Sequence, residues 1–309
     1  MSGRFSATIA GLSGYDRTIA LSIELCYIQN LMEREYLGDY KLIRELGRGG
    51  MGAVFLAHPK DLPEHQVVLK ELLDPRHFQR FKGEAKTLVN LKHDKISRLL
   101  HFFTHGHSIV IAMEYVEGRT LKEYLEQVGT LPVNEALSIT MDLLETLEYA
   151  HQHRVFHRDI KPGNLMIDNN GSIMVIDFGI AKDSDNPDIT QEGVGIGTAA
   201  YAPPEQLFYA RDIDWAVADI YSVGTTLYML ITGRLPFEGE RTSDIVQAKR
   251  LSDPPMPSDF NPEISSRLDN VILKSIARQP EDRYSSASEM LEQIEILAAD
   301  YPPVEKPAA

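Results

Sequence analysis

The sequence contains a single cysteine, has no excess of basic residues and lacks a hydrophobic run long enough to span a bilayer. Because Cys26 has no second cysteine to pair with, an internal disulfide and a zinc ribbon are excluded, which favours a reducing cytosol. Lysine and arginine total 31 against 45 acidic residues, a net charge of −14, which argues against nucleic acid or an anionic membrane as the main partner. The apolar stretch at residues 19–32 is interrupted by Glu24 and Asn30 and is shorter than the roughly 20 residues of a transmembrane helix.

The rest of the composition is that of an ordinary globular protein large enough for two lobes. The chain has 309 residues, of which 43% are hydrophobic and 25% charged, which suits one bilobal unit or about two domains. Residues 1–37 precede the recognisable motifs, and the spacing of Ile19, Ile23 and Leu31 predicts an amphipathic helix that packs on the body of the protein. A regulatory or dimer-forming element is the alternative interpretation. Residues 299–309 are predicted to form a Pro-rich tail.

Residues 155–179 combine the chemical groups that phosphoryl transfer requires. The stretch contains His-Arg-Asp-Ile-Lys-Pro-Gly-Asn, ending at Asn164, and Asp-Phe-Gly, beginning at Asp177. Asp159 could accept a proton from an attacking hydroxyl, and Lys161 could neutralise charge on the moving phosphoryl group. Asn164 and Asp177 supply the hard oxygen ligands that suit Mg²⁺. Because the transition state of phosphoryl transfer mainly needs charge to be positioned and screened, these residues predict that reaction.

These two motifs follow each other in order and are joined by a predicted β-hairpin with a turn at residues 169–171. Together they resemble the catalytic and metal loops of bacterial eukaryotic-like (Hanks-type) serine/threonine protein kinases. The resemblance implies an α+β, bilobal protein-kinase fold that binds ATP between its lobes. It places the kinase domain at residues 38–298, with a β-rich N-lobe at 38–115 and a mainly helical C-lobe at 116–298.

A glycine-rich segment, Gly47-x-Gly49-Gly50-x-Gly52, lies between two predicted strands. The pattern alone also occurs in dinucleotide-binding folds, where a helix follows the glycines. Here residues 53–57 form a β-rich apolar segment, which favours a hairpin and argues against a dinucleotide-binding oxidoreductase. Backbone without side chains can approach phosphates closely, so the hairpin is predicted to cover the phosphates of a nucleotide. A plain glycine-rich hairpin is the alternative.

A third predicted strand, at residues 66–70, places Val68 and Lys70 on one face because side chains alternate along a strand. A lysine beside an apolar neighbour needs a charge partner, and the resemblance assigns that role to Glu84, in a predicted helix at residues 78–91. Two surface charges that never meet are the alternative. The resemblance also identifies Met113 as the gatekeeper and leaves the backbone of Glu114 and Val116 open to adenine. The remaining residues that it assigns to the nucleotide site complete this set: Leu46, Val54, Val68, Met113, Glu114, Val116 and Met166.

The segment after Asp-Phe-Gly resembles a kinase activation segment and its anchor. Thr198 lies in Gly-Thr-x-x-Tyr, and Glu205 follows two prolines in the position of the anchor glutamate. Arg283, in Gln-Pro-Glu-Asp-Arg-Tyr, matches the arginine that pairs with this glutamate in the family. Thr198 resembles the threonine that faces the catalytic aspartate, here Asp159.

Regulation is predicted from Arg158, which directly precedes the catalytic aspartate and is expected to be a buried cation. In similar kinases a phosphate on the activation segment neutralises this arginine, and Thr190 is the predicted phosphosite. A mobile loop in which Thr190 has no role is the alternative. Because Thr190 is out of reach of its own Asp159, modification is predicted in a transient homodimer, at an initial rate that rises faster than linearly with enzyme concentration.

Three histidines at positions 101, 105 and 107 are predicted to lie at a hairpin tip. A metal site is the alternative, but no cysteine or carboxylate lies near them in the sequence, and Gly106 marks a turn.

The sequence as a whole predicts a cytoplasmic serine/threonine protein kinase that uses ATP and Mg²⁺, acts on protein substrates and autophosphorylates. A small-molecule phosphotransferase would lack the segment from Thr198 to Glu205 and Arg283. A pseudokinase that serves as an ATP-binding scaffold should have lost one of the central residues, and none is missing: Lys70, Asp159, Asn164 and Asp177. No nucleic-acid partner and no membrane segment are expected in this chain. Many bacterial relatives carry a membrane span after the kinase, and the Pro-rich tail would suit such a linker.

Overall fold

The structure, a computed structural model, describes residues 34–49, 52–72, 85, 87–106, 108–167, 172–178, 196–208 and 212–302. The chain divides into two compact units. The smaller unit comprises Met1–Val89 and Arg98–Tyr115, and the larger unit comprises Asn90–Ser97 and Val116–Ala309. The predicted N-terminal helix and most of the helix expected at residues 78–91 lie outside the described residues.

The described part of the smaller unit is built on an antiparallel sheet with the strand order β1-β2-β3-β4-β6-β5. Its strands are β1 (Tyr36–Leu37), β2 (Tyr40–Gly49), β3 (Gly52–Pro59), β4 (Val67–Leu72), β5 (Leu99–His105) and β6 (Ser108–Glu114). The hairpin of β2 and β3 confirms the predicted arrangement of the glycine-rich segment. Gly52 is required there because a Cβ atom would lie 1.7 Å from the carbonyl oxygen of Glu71.

Strand β4 shows the alternation expected of a half-buried strand. Val67, Leu69 and Glu71 are buried, whereas Val68 and Lys70 are partly exposed on the opposite face, as predicted. Glu71 is a carboxylate on the core side, and burying its charge is costly unless it is paired. Nη1 of Arg34 lies 3.0 and 3.1 Å from its two carboxylate oxygens. The residues just before β1 are therefore fastened to the strand that carries Lys70.

Two histidines of the predicted hairpin tip belong to strand β5. The register of β5 and β6 pairs His105 with Ser108 across a turn at Gly106, whose φ is 58°, so the hairpin is confirmed. His101 contacts the hydroxyl of Tyr40 through Nε2. Among the residues described by the structure, no group of three or more His, Cys, Asp or Glu side chains is placed to hold a metal ion.

The larger unit is mainly helical and contains one small sheet of order β7-β8-β9. Its strands are β7 (Arg119–Thr120), β8 (Leu165–Ile167) and β9 (Ile173–Val175). Its helices are α1 (Leu121–Val128), α2 (Val133–Gln152), α3 (Ile196–Ala199), α4 (Pro204–Leu207), α5 (Trp215–Thr232), α6 (Thr242–Leu251), α7 (Ser266–Ser275) and α8 (Ala287–Ala298). No helix in the described ranges is both long and apolar enough to cross a bilayer.

Helix α5 is the buried central helix of the larger unit, and nearly all its residues after the first turn are inaccessible to solvent. It begins at Trp215. The cause is Asp214, whose carboxylate accepts hydrogen bonds from the main-chain N–H groups of Ala216 and Val217 and so caps the helix. Asp219 consequently lies inside the helix, where it is fully buried.

The last part of the described chain packs near helix α7, within the larger unit. Tyr301, which the sequence placed in the tail, accepts a hydrogen bond of 2.8 Å from the main-chain N–H of Ser265, the residue that caps α7. Asp300 pairs with Arg267 at 3.2 Å. The first residues of the predicted tail are therefore held by contacts with α7 and with Ser265, the residue that caps it.

Candidate active site

The loop after α2 brings together three of the predicted catalytic and metal-binding side chains. Nζ of Lys161 donates a 2.9 Å hydrogen bond to Oδ2 of Asp159. Nδ2 of Asn164 donates to the same Oδ2 at 3.1 Å and to the main-chain oxygen of Asp159 at 2.8 Å. Two donors thus hold one carboxylate oxygen of Asp159, which fixes the orientation of the carboxylate.

Lys161 also connects this loop to the segment that contains Thr198. Its Nζ lies 3.1 Å from Oγ1 of Thr198, so one ammonium group bridges Asp159 and the threonine. The contact agrees with the expectation that Thr198 faces the predicted catalytic aspartate. The cation therefore lies within hydrogen-bond distance of both a carboxylate and a hydroxyl group.

Asp219 supports the loop from helix α5. Its Oδ2 accepts a 2.8 Å hydrogen bond from the main-chain N–H of His157, and its Oδ1 accepts one of 2.7 Å from that of Arg158. Arg158 has a φ of 64°, a left-handed conformation that is unfavourable for residues other than glycine. The buried carboxylate thus holds the backbone of the residue before Asp159 in a strained conformation. Nε2 of His151 lies 3.0 Å from Oδ2 as well.

His157 ties the loop to the strand that precedes Asp177. Its Nε2 lies 3.0 Å from the carbonyl oxygen of Ile176, and its Nδ1 accepts from the main-chain N–H of Asp159 at 3.2 Å. One ring nitrogen therefore donates and the other accepts, as in the neutral imidazole. Complete burial lowers the pKa of His157 below its usual value, which favours the same neutral form. The Phe178 ring lies 4.8 Å from the imidazole.

Asn164 and Asp177, the predicted metal ligands, are brought together by a main-chain contact. The N–H of Ile176 donates a 3.0 Å hydrogen bond to the carbonyl oxygen of Asn164. Because Nδ2 of Asn164 donates to Asp159, the remaining polar atom of this amide is an oxygen, a hard ligand. Asp177 adds a carboxylate and has a φ of 65°. This donor set fits a divalent cation such as Mg²⁺.

The predicted anchor pair is confirmed. Nη1 and Nη2 of Arg283 donate to the two carboxylate oxygens of Glu205 at 2.7 and 2.8 Å. The arginine side chain is 0% exposed and that of Glu205 is 11% exposed. Nε of Arg283 donates to the carbonyl oxygen of Ala277 at 2.8 Å. This bidentate pair fixes the end of the segment that begins near Thr198.

A cavity of about 820 Å³ lies next to this arrangement, within the larger unit. Lys161 and Gly163 line it from the catalytic loop, and Thr198 and Tyr201 line it from the following segment. Leu125 of α1 and Ile245 of α6 contribute apolar walls. The cavity is therefore large enough for part of a polypeptide beside the Asp159 carboxylate.

In the smaller unit, the predicted nucleotide-binding residues lie on four strands. The glycine-rich hairpin carries Leu46, Gly47 and Gly49 on β2 and Gly52 and Val54 on β3. In the register of β4 and β6, Val68 pairs with Met113. Lys70 lies two residues further along β4. Glu84 and Gly50 lie outside the described residues, so the predicted partner of Lys70 stays a prediction.

The backbone of Glu114, which was predicted to be open to adenine, takes part in the sheet through its N–H group. Its N–H donates a 2.9 Å hydrogen bond to the carbonyl oxygen of Arg98, so this amide hydrogen is engaged within the sheet. Val116 begins the second segment of the larger unit. Met166 lies in the same unit, partly exposed in β8.

Comparison with known proteins agrees with this geometry. The protein kinase domain family matches residues 40–294. The chain belongs to the protein kinase family. The serine/threonine-protein kinase PrkC of Bacillus subtilis is 36% identical over 266 residues, which cover 84% of this chain and 40% of PrkC. PknB of Mycobacterium leprae is 36% identical over 285 residues, which cover 89% of this chain and 44% of PknB.

A solved structure shows the same fold. The crystal structure of Rad53 1-466 in complex with AMP-PNP matches with a TM-score of 0.69 at 25% sequence identity, covering 82% of this chain and 64% of that chain. Membership of the family implies ATP and a divalent metal cation. This kinase chain spans less than half the length of the curated relatives that it matches.

Two features of the kinase site differ from the sequence-based predictions or were missed by them. Arg158, predicted to be a buried cation, is buried in part: its Nε atom is inaccessible to solvent, and its guanidinium lies 4.9 Å from the Trp215 ring centroid. Thr190 lies outside the described residues. The support from Asp219 was missed, although an acidic residue inside an apolar helix is a sign of a buried partner.

Proposed function

We propose that this chain is a serine/threonine protein kinase that transfers the γ-phosphoryl group of ATP to protein hydroxyl groups and requires Mg²⁺. The observation that carries the proposal is the contact of Asp159 Oδ2 with both Lys161 and Asn164, together with the bridge from Lys161 to Thr198. A proton acceptor, a cation and a metal-ligating amide are thereby placed in one loop. The bacterial relatives with matching sequences are themselves named serine/threonine-protein kinases.

Asp159 acts as the base that orients the substrate hydroxyl and accepts its proton. Two donors hold the Asp159 carboxylate in one orientation, in which it can accept a hydrogen bond from the substrate hydroxyl. Lys161, 2.9 Å from this carboxylate, balances negative charge that develops on the phosphoryl oxygens. Its second contact, with Thr198, keeps the ammonium group in place.

Asn164 and Asp177 would hold the Mg²⁺ ion. When bound, Mg²⁺ neutralises charge on the phosphate oxygens of ATP. The glycine-rich hairpin and Lys70 contact those phosphates, and residues around Met113 contact the adenine. Asp159, Asn164 and Asp177 are kept in their relative positions by His157 and by the hydrogen bond between Ile176 and Asn164.

The substrate is a polypeptide. The cavity of about 820 Å³ next to Lys161 and Thr198 is larger than one hydroxyamino acid requires and gives an extended peptide room beside the catalytic loop. The net charge of −14 argues against nucleic acid as the acceptor. The proposed function includes autophosphorylation at Thr190, which takes place between the two chains of a transient homodimer. The proposed location is the cytoplasm.

The test is phosphoryl transfer from radiolabelled ATP in the presence of Mg²⁺, with the wild type and Asp159→Asn compared. Removing a positioned acid or base group typically costs about 10²–10⁴-fold in rate, so Asp159→Asn should lose most turnover. ATP should still raise its melting temperature, because the substitution leaves the nucleotide contacts in place. Phosphoamino-acid analysis of the wild-type product should show phosphoserine or phosphothreonine.

Asp300→Asn is a matched control, because Asp300 pairs with Arg267 on the exposed surface. It should retain full activity. Undiminished transfer by Asp159→Asn would show that Asp159 is not the base. A wild-type protein that is stabilised by ATP but transfers nothing would instead support the pseudokinase alternative, for which the comparisons give no support.

A further inference from the structure

Helix α6 contains a buried lysine that the catalytic arrangement does not use. The side chain of Lys249 is almost completely inaccessible, although the next residue, Arg250, is exposed. Nζ of Lys249 donates hydrogen bonds to the carbonyl oxygens of Ala200 at 2.9 Å and Ala202 at 2.6 Å. A cation in the interior is therefore bound to the main chain of a segment 47 to 49 residues away in the sequence.

The residue between these two alanines is held in a similar way. The carbonyl oxygen of Tyr201 accepts a 3.1 Å hydrogen bond from Oγ of Ser222 in α5. Three successive carbonyl groups are thus bound by side chains from two different helices. The N–H groups of the same three residues donate to the carbonyl oxygens of Ile196 and Thr198. Every main-chain polar group of residues 200–202 is therefore paired within the protein.

This pinned stretch lies between the two fixed ends of the segment. Thr198 is bonded to Lys161 at one end, and Glu205 is bonded to Arg283 at the other. Ala200 and Tyr201 line the cavity beside the catalytic loop. Lys249 thus binds the main chain of a residue that lines the cavity, but does not line the cavity itself.

A lysine that only filled space at this position would be unfavourable, because its charged group is removed from water. Burial of an ammonium group is strongly unfavourable unless the charge is paired or hydrogen-bonded. Desolvation lowers the pKa of Lys249 well below its usual value, and the nearby Arg283 cation lowers it further. The Tyr221 ring, 4.9 Å from Nζ, offsets part of this cost. Methionine or leucine would pack with no such cost.

We propose that Lys249 is a positioning residue for the polypeptide substrate, holding residues 200–202 in the shape that the substrate docks against. The inference rests on the proposed kinase function. It assigns to Lys249 an effect on binding of the polypeptide and none on binding of ATP. Lys249 is not a catalytic residue, because it touches neither the cavity nor the Asp159 loop in the described residues.

The test compares Lys249→Met, Lys249→Gln and the control Arg250→Met, which removes an exposed cation from the same helix. The acceptor is the peptide from a degenerate serine/threonine library that the wild type phosphorylates fastest. Loss of two hydrogen bonds from a charged donor should raise KM for the peptide about tenfold or more in Lys249→Met. KM for ATP and the slow hydrolysis of ATP without peptide should stay within about twofold of wild type. Arg250→Met should match the wild type.

Lys249→Gln separates positioning from packing. Glutamine keeps two N–H donors but is shorter, whereas methionine fills more of the space and donates nothing. If the hydrogen bonds matter, the glutamine variant should have the lower KM for the peptide. If Lys249 only fills space, methionine should perform as well or better, and the proposal is wrong. If a thermal melt shows that Lys249→Met does not fold, KM for the peptide is compared between Lys249→Gln and the wild type. A raised KM for the peptide with an unchanged KM for ATP supports the proposal, and an unchanged KM for the peptide contradicts it.

Hydrogen exchange provides a second measurement that does not depend on kinase activity. In Lys249→Met, the amides of residues 200–202 should exchange faster, while those of α2 and α5 should remain protected. Uniformly faster exchange would indicate general destabilisation and contradict a positioning role. A wild type without any phosphoryl transfer would refute the proposed function, whereas normal peptide KM in Lys249→Met would refute this inference alone.

Discussion

The substitution Asp219→Asn tests how the catalytic loop is held in its strained conformation. Asp219 is fully buried in α5 and accepts main-chain hydrogen bonds from His157 and Arg158 at 2.8 and 2.7 Å. Asparagine has the same shape, but one of its two terminal groups is an NH₂ donor that would meet a main-chain N–H. The change therefore removes one hydrogen bond and the negative charge while conserving volume.

The expected size of the effect follows from comparing the hydrogen bonds with the backbone strain. Hydrogen bonds to a charged group contribute about 1.5–3 kcal/mol each, or about 3–6 kcal/mol for two. The left-handed backbone of Arg158, with φ of 64°, costs about 1–3 kcal/mol. Two bonds outweigh this strain, whereas one bond only matches it. The loop of Asp219→Asn should therefore relax, and kcat should fall about 30- to 150-fold, equivalent to about 2–3 kcal/mol.

The assay is steady-state phosphoryl transfer, combined with a thermal melt. Asp214→Asn is the matched control, because it makes the same change on the same helix at an exposed cap where asparagine caps as well as aspartate. It should leave kcat and the melting temperature close to wild type. Wild-type kcat in Asp219→Asn would refute the reasoning that this carboxylate holds the loop.

Two further predictions concern stability. Arg283→Met should lower the free energy of unfolding by about 3–5 kcal/mol, because it leaves Glu205 without its partner. Adding Glu205→Gln should recover part of the loss in urea denaturation, and strictly additive losses would contradict the coupling. Burial lowers the pKa of His157, so the unfolded chain binds this proton more readily and stability falls as the pH drops below about 6.5, by up to about 1.4 kcal/mol per pH unit. His157→Phe should flatten this slope below about pH 6.5, and an unchanged slope would contradict the prediction.

The local parts of the site could be predicted from the sequence because they depend on short spacings. Asp159, Lys161 and Asn164 lie within six residues of one another, so a single loop brings them together. The alternation of β4 placed Val68 and Lys70 on one face. The pairing of Glu205 with Arg283, across 78 residues, followed only from the resemblance to a known family.

The supports of the site could not be predicted in this way, because they depend on the path of the chain. Asp219 meets His157 and Arg158 across 62 and 61 residues, and no local pattern indicates which buried acid meets which loop. Glu84 and Thr190 fall outside the described residues, so their predicted roles remain predictions.

The sequence by itself determined which chemical groups the chain offers and which strands and helices present them, since residue type and short-range periodicity fix both. Only the tertiary structure decided which of these groups are buried and what they contact. Lys249 and Arg250 are adjacent cations in the last turn of α6, and no sequence pattern indicates which of the two is buried. Packing against residues 200–202 buries one and leaves the other in solvent, because solvation and hydrogen bonding depend on the neighbours that folding supplies.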